Sequence, residues 1–295
     1  MKAYMIHPAS PAFVSNTRRT LGVLALASSL LFPAGLQAST TPIVSTTFTT
    51  GSSFDNAGWT ASYGTAGAAA VWEIKTITQL GTAAAVFVQS TSASPNSPKT
   101  SASLVKTFAA VDFTGQTLSL TFNAGWLYGN TNYTASGFHV ALLDDDGNGY
   151  VFSNRRSTGN TYSAGWAKVT DGNLNPTLTG VATTFDTSQV NIAQNGSAGF
   201  PTFSITRSTL GQWSFSATQW PEALAFSDTT FSTFTRIVFS TEAHFDNSIS
   251  LLLNNVTLTA TATGASIPEP RTTALIGGLA GLVLAVCHLH WRRRR

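Results

Sequence analysis

Short runs in which hydrophobic and polar residues alternate recur from residue 40 to residue 262. The runs are rich in Val, Ile, Thr and Phe, and Gly, Asn, Asp or Pro separates them. Alternation with a period of two puts one side of a segment in a core and the other in solvent, as in antiparallel strands. No long helical pattern interrupts the runs. Representative segments are QTLSLTFNA, GFHVALL, TFSITR, WSFSAT and ISLLLNNVTLTATA.

This pattern predicts a mostly β chain, folded as an antiparallel two-sheet β-sandwich of the jelly-roll type. The segment DDDGNG, residues 144–149, lies between two apolar runs and predicts a hairpin turn. The segment WPEALAF, residues 220–226, is the best candidate for a single helical turn. No repeat period is visible, which argues against a solenoid or a propeller.

The N-terminal end differs from this pattern. Arg18 and Arg19 precede an apolar run, residues 20–32, and the small residues Ala38 and Ser39 follow it. Basic, apolar and small residues in that order are typical of an export signal. We therefore predict a signal peptide over residues 1–38, cleaved between Ala38 and Ser39. A buried N-terminal helix is the alternative.

The C-terminal end holds an uncharged run from Ala274 to Trp291. As a helix it would be about 27 Å long, enough to cross the hydrocarbon core of a bilayer. Four arginines follow the run and would stay on the cytoplasmic side of the membrane. Residues 272–295 are thus predicted to form a single transmembrane helix with a basic tail, and the body of the protein would lie outside.

Between the body and this helix, residues 263–271 form a linker that contains Pro268, Glu269 and Pro270. The tripeptide, the apolar run and the terminal Arg292, Arg293, Arg294 and Arg295 resemble the PEP-CTERM sorting signal of Gram-negative bacteria. The resemblance covers residues 266–295 only. It implies recognition by an exosortase in the inner membrane, removal of the tail, and delivery to the cell surface or an exopolysaccharide matrix. A permanent single-pass anchor is the alternative.

The body, residues 39–262, is similar to jelly-roll sandwiches of the concanavalin-like and laminin-G-like kind. The similarity rests on the order of the strands and on Gly-Trp hairpins such as GQWSFSATQW. A galactose-binding-like jelly roll fits the same pattern. Many such sandwiches bind carbohydrate, so the resemblance implies a glycan partner, although a fold alone does not establish function.

Charge narrows the choice of partners. The net charge of the chain is +3, but residues 39–262 contain eight Lys or Arg and twelve Asp or Glu, which gives −4. Nucleic-acid binding needs a dense positive surface, so an acidic body excludes that class of partner. The one cysteine, Cys287, lies in the C-terminal apolar run. The body therefore has no disulfide and no thiol nucleophile.

Aromatic rings beside amide or hydroxyl groups suit glycan binding. The ring face offers an apolar contact surface, and the neighbouring polar groups hydrogen-bond the sugar hydroxyls. The segment GWLYGNTNY supplies Trp126, Tyr128 and Asn130, and the segment YSAGW supplies Trp166. We predict these four residues as glycan-binding candidates. The first segment must be a loop for this role, because Trp126 and Tyr128 would share one face of a strand and could both be core residues.

A calcium site is the sharpest local hypothesis. Asp144, Asp146, Asn148 and Gly149 match positions one, three, five and six of an EF-hand loop. Arg155 stands where that loop needs a bidentate carboxylate, so a complete EF-hand loop is excluded. A looser Ca²⁺ site at Asp144, Asp146 and Asn148 and a solvated turn are the two remaining interpretations, and no other cofactor is predicted.

Evidence for catalysis is weak in the sequence. The three glutamates of the body have no second carboxylate at short strand spacing, as a glycosidase pair on one strand would need. His139, in GFHVALL, is predicted to be a strand residue, and no common hydrolase motif is present. We therefore expect a non-catalytic, exported body that binds glycan. A structural matrix or adhesion protein without a defined ligand and a glycan-cleaving enzyme are the alternatives.

Overall fold

The computed structural model of the 295-residue chain divides into two units. One unit is Ser39–Gly264, and the other combines Met1–Ala38 with Ala265–Arg295. In the second unit the structure describes a single helical turn. The described residues are 40–62, 70–89, 100–128, 136–156, 161–174, 176–186, 192, 196–243, 249–262 and 290–292.

The Ser39–Gly264 unit is built from β-strands, and a short 3₁₀ helix at Gly196–Gly199 accompanies them. The strands vary from four to fourteen residues in length. In chain order they are β1 (Thr40–Thr46), β2 (Trp59–Ser62), β3 (Ala70–Ile77), β4 (Thr82–Gln89), β5 (Thr100–Asp112), β6 (Gln116–Tyr128), β7 (Ser136–Leu143), β8 (Gly149–Arg156), β9 (Thr161–Val169), β10 (Thr179–Asp186), β11 (Thr202–Arg207), β12 (Gln212–Ala217), β13 (Leu224–Ser227), β14 (Thr233–Ala243) and β15 (Ile249–Ala262).

These strands form two sheets in which neighbouring strands pair antiparallel. Sheet A has the order β13-β12-β11-β6-β15-β4-β3, and β1 also pairs with β15. Sheet B has the order β10-β9-β8-β7-β14-β5-β2. The two sheets enclose one main hydrophobic core. The predicted mostly β, antiparallel two-sheet sandwich is therefore confirmed.

The core is dominated by aromatic rings. Phe122 of sheet A stacks on Phe203 at 5.4 Å between ring centroids, and it meets Phe239 of sheet B edge-on at 5.0 Å. Such offset and edge-to-face pairs hold the sheets together through large buried areas. The many Phe and Trp residues in the sequence are thus used mainly to fill the space between the sheets.

One local prediction was wrong. Residues 220–226 contain no helical turn, and Leu224–Ser227 form β13 instead, paired with β12. Leu224 is buried and Phe226 is half-buried against the core, so the alternation of the strand prevails over a helical pattern.

The predicted hairpin at DDDGNG is confirmed, since it joins β7 to β8. Gly147 has φ of 85°, a conformation that glycine adopts without strain. A Cβ atom at Gly147 would also lie 2.5 Å from the backbone nitrogen of Gly172. Both constraints require glycine at this position.

Several predictions concern residues outside the described part of the chain. These are the signal peptide with Ala38 and Ser39, the motif Pro268, Glu269 and Pro270, and the terminal Arg293, Arg294 and Arg295. They stay predictions. Within the described residues, we find no helix with the length and apolar character that a membrane crossing requires.

Strand β15 changes partner halfway along one edge. Ser250–Leu253 pair with β4, whereas the segment from Val256 to Thr261 pairs with β1. The pairing of β15 with β6 on the other edge shifts register between Asn254 and Thr257, and Asn255 has φ of 52°. These features define a β-bulge at the point where the partner changes.

The bulge reverses which residues of β15 face the core. Before it, Leu251 and Leu253 belong to the main core, and after it Val256 and Leu258 do. The inward positions thus change from odd to even residue numbers. A one-residue shift sends every following side chain to the opposite face. The threonines of the last segment therefore face outward.

Asn254 replaces the backbone pairing that the bulge removes. Its side chain is 2% exposed. Its Oδ1 accepts hydrogen bonds from the backbone nitrogens of Phe48, at 2.7 Å, and Asn255, at 2.8 Å. Its Nδ2 donates to the carbonyl oxygens of Ala83, at 2.7 Å, and Phe48, at 3.3 Å. One amide group thus links β15 to β4 and to the segment after β1.

We expect Asn254→Ala to lower the free energy of unfolding by at least about 2 kcal/mol. The change leaves the Phe48 nitrogen and the Ala83 carbonyl buried without partners, and each such group costs about 1–3 kcal/mol. Urea denaturation followed by far-ultraviolet circular dichroism measures the loss. The control is Asn56→Ala in an exposed turn, for which a loss below about 0.5 kcal/mol is expected. Equal losses in the two variants would contradict this role of Asn254.

Candidate functional site

The sequence-predicted aromatic platform is not present at Trp126. Trp126 lies in β6 and is 2% exposed, inside the main core. The prediction of an exposed ring here was wrong, because β6 stays paired with β15 up to Tyr128. The side chain of Tyr128 and all of Asn130 lie outside the described part, so their role stays a prediction.

Trp166 is half-buried at one margin of the sandwich. Its ring stacks on Phe226 with 3.6 Å between centroids and 2° between the planes. Trp166 belongs to sheet B and Phe226 to sheet A, so this pair joins the two sheets. One face of the Trp166 ring is therefore already occupied, and only the remaining surface could contact a glycan.

The Asp144 carboxylate is used inside its own turn. Its Oδ1 accepts from the backbone nitrogens of Asp146 and Asn148, at 2.9 and 2.8 Å. Its Oδ2 accepts from Nδ2 of Asn148 at 3.3 Å. The two residues predicted as further calcium ligands are thus hydrogen-bond donors to the first one.

A cation of the protein itself serves the same turn. The Arg236 guanidinium donates to the carbonyl oxygen of Asp144, at 3.0 and 2.8 Å, and to that of Asp145, at 3.0 Å. Over the residues that the structure describes, no group of three or more His, Cys, Asp or Glu is arranged to hold a metal ion. The Ca²⁺ site at Asp144, Asp146 and Asn148 stays a prediction.

The structure instead presents an ordered array of polar side chains on the outer surface of sheet A. We call it the hydroxyl face. In each contributing strand the hydroxyl residues alternate with buried apolar ones, so they point away from the core. Its members are Thr40 and Ser45 of β1, Thr117, Ser119 and Thr121 of β6, Ser204 and Thr206 of β11, Ser214 and Ser216 of β12, and Thr257, Thr259 and Thr261 of β15.

The strand registers align these residues in rows across the sheet. The first row contains five hydroxyls on five adjacent strands, and the second contains four. A third, shorter row follows. In order across the sheet, row one is Ser216, Ser204, Thr121, Thr257 and Ser45, row two is Ser214, Thr206, Ser119 and Thr259, and row three is Thr117, Thr261 and Thr40.

An open groove of about 500 Å³ lies at one end of this face. Its polar lining includes Thr206 and Ser214 of row two and Gln212 at the start of β12. Arg207 also lines the groove; it is 4% exposed, and its Nη1 donates to the carbonyl oxygen of Phe113 at 2.8 Å. Arg207 Nε is buried and has no hydrogen-bond partner among the described residues. This nitrogen is buried beneath the sheet, where the guanidinium lies over the Trp213 ring, so a ligand in the groove does not reach it.

The hydroxyl face carries no charge. None of its members is Asp, Glu, Lys or Arg, although residues 39–262 contain twenty such residues. Among the described residues, Thr117 donates to the Thr261 carbonyl at 3.3 Å and Thr259 donates to the Ser119 carbonyl at 3.4 Å. The hydroxyls of Thr40 and Thr261 are hydrogen-bonded to each other at 3.2 Å. Most of the hydroxyls of rows one and two are thus available to a ligand.

The other half of the outer surface of sheet A is covered. Val86, Leu252 and Ile192 form a second apolar cluster there, against which Phe200 packs. A Cβ atom at Gly125 would lie 2.4 Å from the carbonyl oxygen of Gly199, so glycine permits this close approach. The hydroxyl face is the half that this covering segment leaves open.

A polar clamp holds the end of β13. Asp228 follows β13, and its carboxylate accepts from the Tyr150 hydroxyl at 2.6 Å and the Thr230 backbone nitrogen at 2.8 Å. Lys168 forms an ion pair with it at 3.0 Å. Tyr150 and Lys168 lie in sheet B, so the clamp ties the end of β13 to the opposite sheet.

The clamp changes the pKa of both acids. Burial tends to raise the pKa of Asp228, but the hydrogen bonds from Tyr150, Thr230 and Lys168 outweigh it and hold that pKa far below its usual range. Burial, followed by the hydrogen bond to Asp228, raises the pKa of the Tyr150 phenol. The carboxylate is therefore charged and the phenol neutral at any pH near 7.

The sequence contains a signal for the hydroxyl face that strand prediction alone does not use. Segments such as TLSLTF, TFSITR and VTLTAT put Ser or Thr at the outward positions where charged residues are common on soluble sheets. What cannot be read from them is the register, which decides whether hydroxyls on different strands line up.

No family model matches the chain, and none of the curated proteins matches its sequence. Among solved structures, the CBM2 module of the evolved Dit of Lactobacillus casei BL23 phage J-1 is similar, with a TM-score of 0.52 and 11% identity over 78% of this chain and 100% of that one. The carbohydrate recognition domain of Emp47p has a TM-score of 0.50 and 8% identity, over 78% and 99% of the two chains. At these identities the likeness is one of fold, and it supports a jelly-roll β-sandwich.

We expect Asp228→Asn to destabilise the protein by about 2 kcal/mol at pH 7, the scale of a charged hydrogen bond. Because the pKa of Asp228 is depressed in the folded state, its contribution is complete above the unfolded value of about 3.9 and is lost as the pH falls below it. Urea denaturation from pH 7 down to pH 3 measures the difference between the two proteins. That difference should shrink toward the acidic end.

The matched control is Asp55→Asn, an exposed acid for which we expect almost no change at either pH. A difference between wild type and Asp228→Asn that stays constant down to pH 3 would show that the carboxylate charge is not what holds the clamp.

Proposed function

We propose that the protein is an exported sandwich that binds neutral polysaccharide through the hydroxyl face of sheet A. The observation that carries the proposal is the alignment of uncharged hydroxyls in register on five adjacent strands. Hydroxyls donate and accept hydrogen bonds, as sugar hydroxyls do, so the two surfaces are chemically complementary. A charged polymer would find no opposite charge among the outward side chains of this face.

The names of similar structures support the same class of ligand. One is a CBM2 module, and the other is a carbohydrate recognition domain. The likeness shows fold only, so the ligand class for this chain rests on its own surface chemistry.

We propose further that the body is not catalytic. Glu73 forms an ion pair with Lys75, and Glu222 is exposed in the connection before β13. His139 lies in β7 and is 1% exposed, which leaves it no access to a substrate. These placements support a binding role over the alternative of a glycan-cleaving enzyme.

The proposed route to the polysaccharide is the sorting signal. A signal peptide over residues 1–38 would export the body, and the C-terminal helix would hold it transiently in the inner membrane. An exosortase would then remove the tail near Pro268, Glu269 and Pro270 and release the protein to the cell surface or the exopolysaccharide matrix. An exported domain that binds neutral polysaccharide would be retained in such a matrix.

We expect the purified protein to bind the neutral exopolysaccharide of the producing cells in a sedimentation assay. Binding should persist in molar salt, because salt screens charges and leaves neutral hydrogen bonds largely unaffected. Thr206→Val combined with Ser214→Ala in row two should weaken binding, and Thr60→Val at an exposed position of sheet B should not.

Saturable binding that is lost in molar salt would point to an ionic partner and contradict the use of a neutral face. Absence of binding at any salt concentration would favour the alternative of a structural matrix or adhesion protein without a defined ligand.

For the sorting route, we expect the mature surface protein to lack the tail that ends in Arg292–Arg295. Replacing Pro268, Glu269 and Pro270 together by Ala should leave the tail intact and the protein in the membrane fraction. Mass spectrometry of the C-terminal peptide distinguishes the two forms, and Thr272→Ala is the neighbouring control. An intact arginine terminus on the native surface protein would establish a permanent anchor instead.

A further inference from the structure

We propose that the ligand of the hydroxyl face is an extended polysaccharide surface, contacted across several strands at once, and not a short oligosaccharide or a chain end. This inference rests on the proposed function and specifies its ligand. It is drawn from the dimensions of the face, its lack of strong single contacts, and its rigidity.

The hydroxyl face is a two-dimensional grid. Neighbouring strands are about 4.8 Å apart, and alternate residues along a strand are about 6.7 Å apart. Row one crosses five strands, from Ser216 to Ser45, so its outermost strands lie about 19 Å apart. A face of this width meets several sugar residues at the same time.

The grid provides many weak contacts and no strong one. Among the described residues that line the groove, Trp213 is aromatic, but it is 1% exposed and its ring is not available to stack on a sugar. Each neutral hydrogen bond replaces one made to water and contributes little by itself. Useful affinity therefore requires many hydrogen bonds made together. In a polymer the sugars are linked, so the entropy cost of positioning each sugar after the first is small.

The grid is also rigid. Strands β11, β6 and β15 carry the middle of rows one and two, and each is hydrogen-bonded to a neighbour on both edges. Beneath them the aromatic core fixes the strand positions through Phe122 and Phe203. A preorganised array loses little entropy on binding a ligand of matching periodicity, but it cannot close around a small one.

The groove fits the same mode of binding. It is open along the sheet surface, and its lining includes Ser119, Thr206 and Ser214 of row two. Gln212 is the next outward residue along β12 after Ser214. A polymer that lies along the rows would pass through it. The proposal thus assigns the groove to the margin of one extended contact and not to a separate pocket for a single sugar.

The test compares ligand lengths at constant chemistry. Probes are the insoluble neutral exopolysaccharide of the producing cells and hexasaccharides prepared from it by partial acid hydrolysis. The protein is used as the cells export it. At equal sugar concentration we expect binding to the polymer to be at least about tenfold tighter than to the fragments, because the fragments span fewer contacts.

The variant arm tests the grid itself. Thr121→Val, Ser204→Ala and Thr257→Val together remove the centre of row one while keeping side-chain size, and we expect polymer binding to fall at least about tenfold. Thr107→Val, an exposed threonine of sheet B, is the matched control and should bind like the wild type. Urea denaturation verifies that each variant folds, and Ser119→Ala with Thr259→Val in row two serves as an independent second variant.

The outcomes separate this inference from the proposed function. Equal affinity for hexasaccharides and polymer would overturn the extended-surface ligand and leave glycan binding in place. Undiminished polymer binding by both grid variants would also overturn it. Failure of the wild type to bind either probe would overturn the glycan function together with this inference.

Discussion

The side-chain amide of Asn254 is the interaction on which the outer surface of sheet A depends. It supplies four hydrogen bonds at a β-bulge, where β15 leaves β4 and begins to pair with β1. Without the extra residue of the bulge, the alternation of Leu251 and Leu253 would continue, and Thr257 would point into the core. Burying hydroxyls without hydrogen-bond partners costs free energy. The sandwich core therefore requires the bulge, which keeps the threonines of β15 on the surface. One buried amide therefore decides that β15 contributes threonines to the surface and leucines to the interior.

The same junction separates two kinds of surface on one sheet. On one side, Val86 and Leu252 are apolar and need the cover that Ile192 and Phe200 provide. On the other side, the outward residues are Ser and Thr, which water or a ligand can satisfy without a cover. Asn255 and Asn123 join across this boundary at 2.9 Å. An exposed apolar half would favour aggregation, and a covered polar half would bury unsatisfied hydroxyls. The division thus follows from chemistry, and it leaves one continuous polar area for recognition.

The fold class could be predicted from the sequence because alternation is local, and β6, β11 and β12 show it plainly. The glycan site could not. A glycan-binding role for Trp126 required its segment to be a loop, but β6 runs through it, and Gly125 permits the close approach of Gly199. At Asp144 the spacing of possible calcium ligands could be read from the sequence. The hydrogen bond from Arg236, about ninety residues away in the chain, could not. The rows of hydroxyls depend on the pairing of β6 with β15, strands far apart in the chain, and such registers are set by tertiary packing.

Recognition that is distributed over a sheet has a different sensitivity from recognition by a pocket. In a pocket, a single side chain holds the ligand, and its loss abolishes binding. On the hydroxyl face no single residue contributes much of the binding free energy, because each makes one neutral hydrogen bond. What the ligand requires is the alignment between strands, and that alignment is fixed by the backbone ladders, by the bulge at Asn254 and by the clamp at Asp228. The specificity of such a face therefore depends on residues that no ligand touches, and the scattered Ser and Thr positions acquire their function only through the register that holds them in rows.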